Sequence, residues 1–284
     1  MFDTKVAVIR LHDNRNGGEG DEDMDGSDDT NNTNSNTEWS YECLYNLLGH
    51  HAGCATVRAV QNRILTASYD GVLRLFTLPP PQTSPPRHHN HPTPSTSPTY
   101  AATKEYYDDP AHTAPLSGEP DLNRGVCGAD LSADLSKIVS GSNDMQIKLW
   151  DTESGKILLR LTGDNGWPWW VKGIDPDLCE VVSASTSGFV RVWDMRGGVQ
   201  AASVSLSQRQ GHPVFPASSA VSSLDKRYLV CGSFDTHMHV VDRRMMRVLK
   251  SIGGHEQRLS RVCAQGDVVL SSGFDGIVGV FDFR

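Results

Sequence analysis

Short runs of alternating apolar and polar residues recur along the chain, and each run has the length of a β-strand. Residues 147–150 and 190–193 are typical, because every second side chain is apolar and would face one side of a sheet. Gly, Asp and Ser separate the runs, and these residue types supply the backbone geometry and the local hydrogen bonds of tight turns. The pattern contains no long amphipathic helix, so it predicts an all-β fold of many short strands.

One sequence unit occurs five times. Each copy has a β-branched run, a small residue, a turn position and then an alternating run that ends in an apolar or aromatic residue. The last four turn positions are 43, 48 and 40 residues apart, and the first interval of 74 residues contains a proline-rich segment. A period of about 40–45 residues is typical of a β-propeller built from four-stranded blades. The five turn positions are Asp70, Asp144, Ser187, Asp235 and Asp275.

Two further markers keep the same phase as the turns. A Gly-His pair precedes three of them, with His50, His212 and His255 lying 20, 23 and 20 residues before the turn residue. Two copies end in Trp-Asp, at Trp150 and Trp193. In these phased motifs the chain resembles the WD-repeat family, which folds as a β-propeller of four-stranded blades. The resemblance covers nearly all of the chain outside two segments of unusual composition.

The resemblance implies a structural role for the repeated polar residues. In the family, the Gly-His histidine, a strand serine, the turn aspartate and the strand tryptophan often form a buried hydrogen-bonded set. No copy in this chain holds all four residue types. A His-Asp pair repeated at one spacing indicates scaffold, because a catalytic dyad would occur once. The residues given this structural role are His50, Asp70, Asp144, Trp150, Trp193, His212, Asp235, His255 and Asp275.

The repeat positions predict a single propeller domain over residues 1–284. We expect a partial first blade at residues 1–48, followed by repeats at about 49–78, 122–162, 163–210, 211–253 and 254–284. Residues 2–9 align without a gap with residues 234–241, so the chain begins at a position inside a blade. We therefore expect an incomplete ring that lacks its N-terminal part. The alternative is a closed ring of five blades with a leftover strand.

Two segments differ in composition from the repeats, and both are predicted to be disordered inserts. Residues 12–38 hold nine acidic residues and one basic residue, which accounts for the whole net charge of -8. Residues 79–121 hold eleven of the fifteen prolines together with Ser, Thr and His. The first insert contains Asp21, Asp23 and Asp25 at the spacing of an EF-hand loop, but Asn32 replaces the bidentate Glu of that loop. Three nearby histidines in the second insert lack a further ligand, so we predict no metal and no cofactor.

Composition excludes several classes of function. The chain outside the acidic insert is close to neutral, which argues against nucleic-acid binding. The sequence shows no apolar run of about 20 residues, no signal-peptide pattern and no pair of cysteines at CxxC spacing. Hydrolase, metalloprotease, phosphate-loop and dinucleotide fingerprints are not found in it either. We therefore predict a protein of the cytoplasm and/or nucleus that is not an enzyme, does not insert into membranes and forms no obligate homo-oligomer.

Aromatic residues beside the turns are candidates for a partner-binding rim. The resemblance places the Gly-His loops and the Asp turns on one face of the propeller, where three of the turns carry an aromatic residue. In the third repeat, a tryptophan-rich segment replaces the Gly-His pair. Tryptophan and arginine are enriched in binding hot spots, although Trp169 has the alternative of packing within an inner strand. The predicted rim residues are Tyr69, Trp167, Trp169, Phe234, Arg258 and Phe274.

An Asp-x-Arg pattern follows the third strand in three repeats. Residues 181–196 and 269–284 look like the signature of WD-repeat substrate receptors that dock to the adaptor of cullin–RING ubiquitin ligases. The alternative is a turn salt bridge of the kind that WD repeats contain generally. The candidate adaptor-contact residues are Asp194, Arg196, Arg244 and Arg284. The resemblance thus favours a protein-interaction scaffold, with substrate recognition for a ubiquitin ligase as the first hypothesis and a general assembly platform as the second.

Overall fold

A computed structural model describes residues 6–13, 39–79, 99–106, 125–163, 166, 168–206, 216–221, 227–265 and 267–283. Every regular element within these residues is a β-strand, and no described helix is long and apolar enough to cross a membrane. The chain divides into two compact units, a larger one of residues 1–4, 50–80 and 102–284 and a smaller one of residues 5–49 and 81–101.

In chain order the strands are β1 (Val6–Asp13), β2 (Trp39–Leu47), β3 (Cys54–Val60), β4 (Arg63–Ser68), β5 (Leu73–Thr77), β6 (Thr99–Tyr100), β7 (Lys104–Tyr106), β8 (Val126–Leu131), β9 (Lys137–Ser142), β10 (Ile147–Asp151), β11 (Ile157–Leu161), β12 (Pro168–Gly173), β13 (Glu180–Ser185), β14 (Phe189–Asp194), β15 (Val199–Ser205), β16 (Pro216–Val221), β17 (Tyr228–Ser233), β18 (Met238–Asp242), β19 (Arg247–Ile252), β20 (Leu259–Gln265), β21 (Val268–Gly273) and β22 (Val278–Asp282).

The smaller unit is a three-stranded sheet in the order β1-β2-β6. Strands β1 and β2 pair antiparallel, with Val6 opposite Leu47 and Asp13 opposite Trp39. The register shifts between Val8 and Ile9, as a β-bulge does. The short strand β6 adds to β2 in parallel orientation.

The larger unit contains five sheets that follow one another along the chain. Four of them have four strands, in the orders β3-β4-β5-β7, β8 to β11, β12 to β15 and β16 to β19, and the fifth has the three strands β20 to β22. Neighbouring strands within each sheet are antiparallel and are joined by short connections, except that residues 78–103 separate β5 from its partner β7. The sheets are blades of a β-propeller, which confirms the predicted all-β fold.

Apolar residues between consecutive sheets form the core. Ile147 and Leu149 on β10 pack against Val181 and Trp193 of the following sheet, and the other three junctions repeat this arrangement. The third strand of a sheet therefore uses alternate residues to contact the next sheet, and the residue before its final Asp, such as Trp150, Trp193 or Val241, to contact the preceding one. Burial of a large apolar side chain contributes about 1.5–3 kcal/mol, so these contacts stabilise the stacking of one sheet on another.

Glycine allows the inner strands of the second and third sheets to approach closely. A Cβ atom at Gly128 would lie 2.8 Å from the backbone N of Val171, and one at Gly141 would lie 2.5 Å from Cγ2 of the same residue. Both distances are below van der Waals contact. The contact between β8, β9 and β12 thus depends on two positions without a side chain.

The prediction of a disordered insert over residues 79–121 is wrong where the structure describes strands, at Thr99–Tyr100 (β6) and at residues 104–106. Residues 104–106 form β7, the fourth strand of the first sheet, and Tyr106 is one of the most buried side chains described. The Tyr106 hydroxyl donates a hydrogen bond to the carbonyl of Thr152 at 2.9 Å, and its ring packs edge-on against Trp150. Composition missed this strand because it is only three residues long and proline-rich sequence surrounds it. Residues 14–38, 80–98 and 107–124 lie outside the described residues, and with them lie most of both predicted inserts.

Candidate functional site

Each sheet of the larger unit has a tight turn before its third strand, and the second, third and fourth sheets also have one after it. The turn before that strand carries Asp70, Asp144, Ser187, Asp235 or Asp275, and we call these five turns together the turn face. The turn after the third strand carries Asp194 in the third sheet and Asp242 in the fourth, at the opposite end of the sheet. Of the predicted rim residues, Tyr69, Phe234 and Phe274 therefore lie at one end of the sheets, and the described adaptor-contact residues lie at the other.

Histidine joins the turn to the second strand in the first and fifth sheets. His50 Nδ1 lies 3.0 Å from Asp70 Oδ2, and His50 Nε2 lies 2.7 Å from Thr66 Oγ1. His255 repeats this arrangement with Asp275 at 3.0 Å and with Ser271 Oγ at 2.6 Å. Both imidazoles are buried. The two nitrogens of each ring are thus occupied by contacts within the blade.

Tryptophan takes the place of histidine in the second and third sheets. The indole Nε1 of Trp150 donates a hydrogen bond to Ser140 Oγ at 2.8 Å, and that of Trp193 donates one to Ser183 Oγ at 2.9 Å. Ser140 and Ser183 occupy the strand position that Thr66 and Ser271 occupy in the other two sheets. One buried hydroxyl therefore anchors each of these four blades, and its partner is either a histidine or a tryptophan.

A basic residue four positions after the turn acid was missed in the sequence. Arg74 Nη1 lies 2.8 Å from Asp70 Oδ2, Lys148 pairs with Asp144, and His239 Nε2 lies 3.2 Å from Asp235 Oδ2. These three basic side chains are buried, and each belongs to the second residue of its third strand. The signal was available, because an acid and a base at a spacing of four recur in three repeats.

In the first and fifth sheets the histidine of the Gly-His pair contacts the turn aspartate. In the fourth sheet His239 makes the contact with the turn residue Asp235. Its Nδ1 lies 2.9 Å from Ser251 Oγ on the outer strand. The predicted His212 lies outside the described residues. This blade also ends in Val241 where two others have tryptophan, and the Asp235–His239 pair is a side-chain contact between its turn and its third strand.

Three of the turn aspartates, Asp70, Asp235 and Asp275, are held in the ionised form. Burial would raise the pKa of Asp235, but the hydrogen bond and the charge of His239, with the backbone N–H of His237, lower it to about 2. Burial likewise opposes ionisation of Asp70, and hydrogen bonds from His50 and the backbone N–H of His51 hold its pKa well below the usual range. The pKa of Asp275 is lowered by the same kinds of hydrogen bond against the effect of burial. These carboxylates serve the turns as acceptors.

The structure brings together three of the predicted rim residues. The guanidinium carbon of Arg258 lies 4.4 Å from the ring centre of Phe274 and 5.3 Å from that of Phe234. Arg258 and Phe274 are exposed, and Phe234 is half-buried. We call Phe234, Arg258 and Phe274 the rim cluster. It joins the turns of the fourth and fifth sheets through a cation between two aromatic rings.

The other predicted rim residues lie apart from this cluster or are not described. The half-buried Tyr69 packs close to Gly125, and its pKa is raised by burial and by Cys127, while the charge of Arg261 acts to lower it. Arg261 itself donates a hydrogen bond from Nη2 to the carbonyl of Ala55 at 2.8 Å. It stands outside every repeated motif, and nothing in the sequence marked it.

Two tryptophans of the predicted rim have no described side chain. Trp167 lies outside the described residues, and Trp169 lies in β12. Its neighbour Trp170 is half-buried against the core between the third and fourth sheets.

The Asp-x-Arg residues form turns in which the aspartate binds backbone. Asp194 Oδ1 accepts a hydrogen bond from the backbone N–H of Arg196 at 2.9 Å, and Asp242 Oδ1 accepts one from that of Arg244 at 2.9 Å. Both arginine side chains are exposed. Arg284 lies outside the described residues. The two described arginines thus lie in turns at the end of the sheets opposite the rim cluster.

Comparison with known proteins agrees with this architecture. The family model described as "WD domain, G-beta repeat" matches residues 113–151, which include the first three strands of the second sheet. The chain is 27% identical over 158 residues to F-box/WD repeat-containing protein 9 of Bos taurus, with 51% of this chain and 32% of the relative covered. It is 22% identical over 236 residues to a ribosome biogenesis protein WDR12 homolog of Ixodes scapularis, with 81% and 53% covered.

A third relative is autophagy-related protein 16 of Arabidopsis thaliana, 23% identical over 153 residues, with 53% of this chain and 29% of the relative covered. The chain therefore spans between about a third and about half of the length of these three relatives. None of their names denotes an enzyme. The phased repeats, the stacked sheets and the family match over residues 113–151 together show a β-propeller that contains a WD repeat and is similar to WD-repeat proteins.

Proposed function

We propose that this chain is a non-enzymatic scaffold of the cytoplasm and/or nucleus that binds another protein through its turn face. The observation that carries the proposal is the rim cluster, in which Arg258 is stacked between Phe234 and Phe274 at the surface. Aromatic and arginine side chains dominate the binding energy of protein interfaces.

The stacking prepares Arg258 for binding. An isolated surface arginine loses side-chain entropy when a partner orders it, about 0.5–1.5 kcal/mol for a side chain of this kind. Two ring contacts restrict the Arg258 side chain in advance, and its N–H donors stay available at the edge of the planar guanidinium. A carboxylate or a carbonyl group of the partner fits these donors, and the exposed face of Phe274 adds apolar contact area. Trp167 and Trp169 are further proposed anchors.

The specific role that we propose first is substrate recognition for a ubiquitin ligase. The similarity to F-box/WD repeat-containing protein 9 supports this role, and so do the exposed arginines of the two Asp-x-Arg turns. Arg196 and Arg244 lie at the opposite end of the sheets from the rim cluster, so an adaptor bound there leaves the turn face available to a substrate.

The second candidate is an assembly platform for another intracellular complex. The alignment to the ribosome biogenesis relative covers more of the chain, 81% against 51%, which favours a role outside ubiquitin transfer.

Affinity purification of the tagged full chain from its native cells separates the two roles. We would compare the unaltered chain with a rim variant, Arg258→Ala with Phe274→Ala, and an adaptor variant, Arg196→Ala with Arg244→Ala. Arg247→Ala, on the exposed outer strand β19, is the control. A substrate receptor loses its substrate in the rim variant and a cullin adaptor in the adaptor variant. Repeated absence of any cullin adaptor rejects the ligase role, and an unchanged set of partners in the rim variant rejects the rim cluster as the binding site.

A further inference from the structure

The first strands of the first, second and third sheets end around a cavity of about 330 Å³. Strands β3, β8 and β12 reach it at the end of the sheets opposite the turn face. All residues that line it belong to the larger unit. We call it the three-sheet cavity. The apolar side chains that form its walls are Val60, Leu131, Ile174 and Leu178.

Asp130 joins the three sheets beside this cavity. Its Oδ1 lies 2.8 Å from Nε of Arg58 on β3, and its Oδ2 accepts a hydrogen bond from the backbone N–H of Gly173 on β12 at 3.0 Å. The backbone N–H of Leu131 donates to Oδ1 as well, at 2.9 Å. A buried carboxylate that is held by three donors keeps one position, so it fixes the ends of the three strands relative to one another.

The turns that border the three-sheet cavity are also bonded to one another. Gln61 Nε2 donates a hydrogen bond to the carbonyl of Ala133 at 3.0 Å, which joins the first sheet to the second. The backbone N–H of Ala133 donates one to the carbonyl of Pro176 at 2.8 Å, which joins the second sheet to the third. The cavity is thus formed in advance, and a preformed site lowers the ordering cost of binding.

We propose that the three-sheet cavity binds one uncharged aliphatic residue of a partner protein, with its side chain between the apolar walls and its backbone carbonyl on Arg58. The Arg58 side chain is 45% exposed. A guanidinium has five N–H donors, and Asp130 already accepts two backbone N–H groups, so donors of Arg58 remain for a ligand. Ligand sites combine apolar walls with a few polar groups that set the orientation of the ligand.

The charges around the three-sheet cavity disfavour a charged occupant. Arg58 and Asp130 balance each other, and Asp175 adds a second carboxylate, whose Oδ1 accepts the backbone N–H groups of Cys179 and Glu180. A carboxylate ligand would be repelled by both aspartates. An ammonium group would have to enter between four apolar walls beside a guanidinium, and burial of a charge in such surroundings is costly.

The size of the cavity indicates a single residue of a longer chain. A volume of about 330 Å³ is at the lower end of the range of about 300–1,000 Å³ that ligand sites occupy. A free molecule of this size makes few contacts and binds weakly, whereas a polypeptide adds contacts outside the cavity. This site goes beyond the proposed function, because it lies at the opposite end of the sheets from the rim cluster.

Methyl NMR of the full chain tests the proposal with N-acetyl-leucine amide, an uncharged mimic of one aliphatic residue. We expect the methyl signals of Val60, Leu131, Ile174 and Leu178 to shift during titration, with half-saturation at millimolar concentrations, as a ligand of this size allows. N-acetyl-glycine amide lacks the side chain and should shift none of them. N-acetyl-leucine, which has a carboxylate, and free leucine, which has charges of both signs, should bind more weakly.

Two variants locate the binding site. Ala133→Phe should abolish the shifts, because Ala133 lines the cavity, is exposed and makes the bonds described above through its backbone alone. Ala201→Phe, at an exposed alanine of β15, is the matched control and should bind the probe like the unaltered chain. Arg58→Ala should weaken binding by about tenfold, the effect of losing a hydrogen bond to a charged group.

Three outcomes overturn the proposal: no shift of the cavity methyl signals up to the solubility limit of the probe, tighter binding of either charged leucine, or unchanged binding in Ala133→Phe. Thermal unfolding shows whether each variant is folded. If Ala133→Phe does not fold, Arg58→Ala decides, and an unchanged affinity in that variant also overturns the proposal. None of these variants alters the rim cluster, so the two binding sites succeed or fail separately.

Discussion

Arg258 and Phe274 are joined twice, once through the backbone and once through the side chains. The backbone N–H of Phe274 donates a hydrogen bond to the carbonyl of Arg258 at 3.0 Å, and the guanidinium of Arg258 lies 4.4 Å from the centre of the Phe274 ring. The backbone contact is part of the repeat, since Tyr69 makes the same contact with Gly53 and Asn143 with Gly125. In the fifth repeat, a backbone hydrogen bond that recurs in other repeats of the chain therefore holds a cation against an aromatic ring at the surface.

Removal of this cation should affect binding much more than stability. Arg258→Ala should lower the free energy of unfolding by about 1 kcal/mol or less, because an exposed cation–π contact contributes about 0.5–1 kcal/mol. Capture of the native partner should fall by about tenfold or more, the effect of losing a hot-spot residue. Quantitative pull-down and urea unfolding measure the two effects. Arg258→Lys keeps the charge but lacks the planar donors, so recovery of full capture by lysine would contradict a role for the guanidinium.

The buried bond between Trp150 and Ser140 should be visible in a double-mutant cycle. Trp150→Phe removes the indole N–H donor and leaves the Ser140 hydroxyl without this partner, which costs about 1–3 kcal/mol. Ser140→Ala in the Trp150→Phe background should cost less than in the unaltered chain, because the hydroxyl has then lost its partner already. Urea unfolding of the four proteins gives the coupling energy. A coupling near zero would mean that the 2.8 Å contact adds nothing to stability; Trp193 with Ser183 provides an independent repeat of the test.

Acid should destabilise the fold through the turn aspartates. The pKa of Asp235 is lowered from 3.8 to about 2 in the folded chain, because the hydrogen bond and charge of His239 outweigh the effect of burial. A lowered pKa adds stability that is complete above about pH 4 and is lost as the pH falls towards 2. For this partly solvated pair we expect a contribution of about 1 kcal/mol.

The measurement is the urea midpoint between pH 2 and pH 6. Asp235→Asn should be less stable than the unaltered chain at pH 6 and should show a shallower decrease below pH 4. Glu153→Gln, on an exposed turn, serves as the control and should follow the unaltered chain. Identical pH profiles for Asp235→Asn and the unaltered chain would show that the Asp235–His239 pair does not couple folding to pH.

The close approach of the second and third sheets predicts intolerance to a methyl group at Gly128. The new Cβ would lie 2.8 Å from the backbone N of Val171 and 3.1 Å from the Cα of Trp170, and backbone atoms cannot move aside as a side chain can. Gly128→Ala should therefore lower the free energy of unfolding by about 1–3 kcal/mol. Gly197→Ala is the matched control, because its nearest neighbour would be 3.4 Å away. Equal stability of the two variants would contradict this account of the junction.

The repeats could be predicted because their information is local. The period of the turn acids, the alternation within strands and the Gly-His and Trp-Asp markers each lie within a few residues of one another, and together they predicted an all-β propeller. The role of the buried hydroxyl was harder to predict. Ser271 bonds His255 in one blade, and Ser140, at the same repeat position, bonds Trp150 in another. The sequence shows that no repeat holds all four residues of the set, but it does not show that the remaining members still bond at one common position.

The candidate site was predictable only in part for the same reason. Phe234 and Phe274 were identified from their position beside turn aspartates, and Arg258 from its place after a Gly-His pair. Their mutual contact depends on the angle and distance between two blades, which no spacing records. Arg261 has no repeated counterpart, so its bond to Ala55, more than 200 residues away, is visible only in three dimensions.

The sequence by itself determined that this chain is built from copies of one β-sheet unit, with acids and small residues at the turns and apolar residues within the strands. Tertiary structure alone decided that Tyr106 belongs to the core and that Arg258 is held between two rings. The reason is physical: strand propensity and turn geometry arise within a few neighbouring residues, whereas burial is a property of whatever surface packs against a residue.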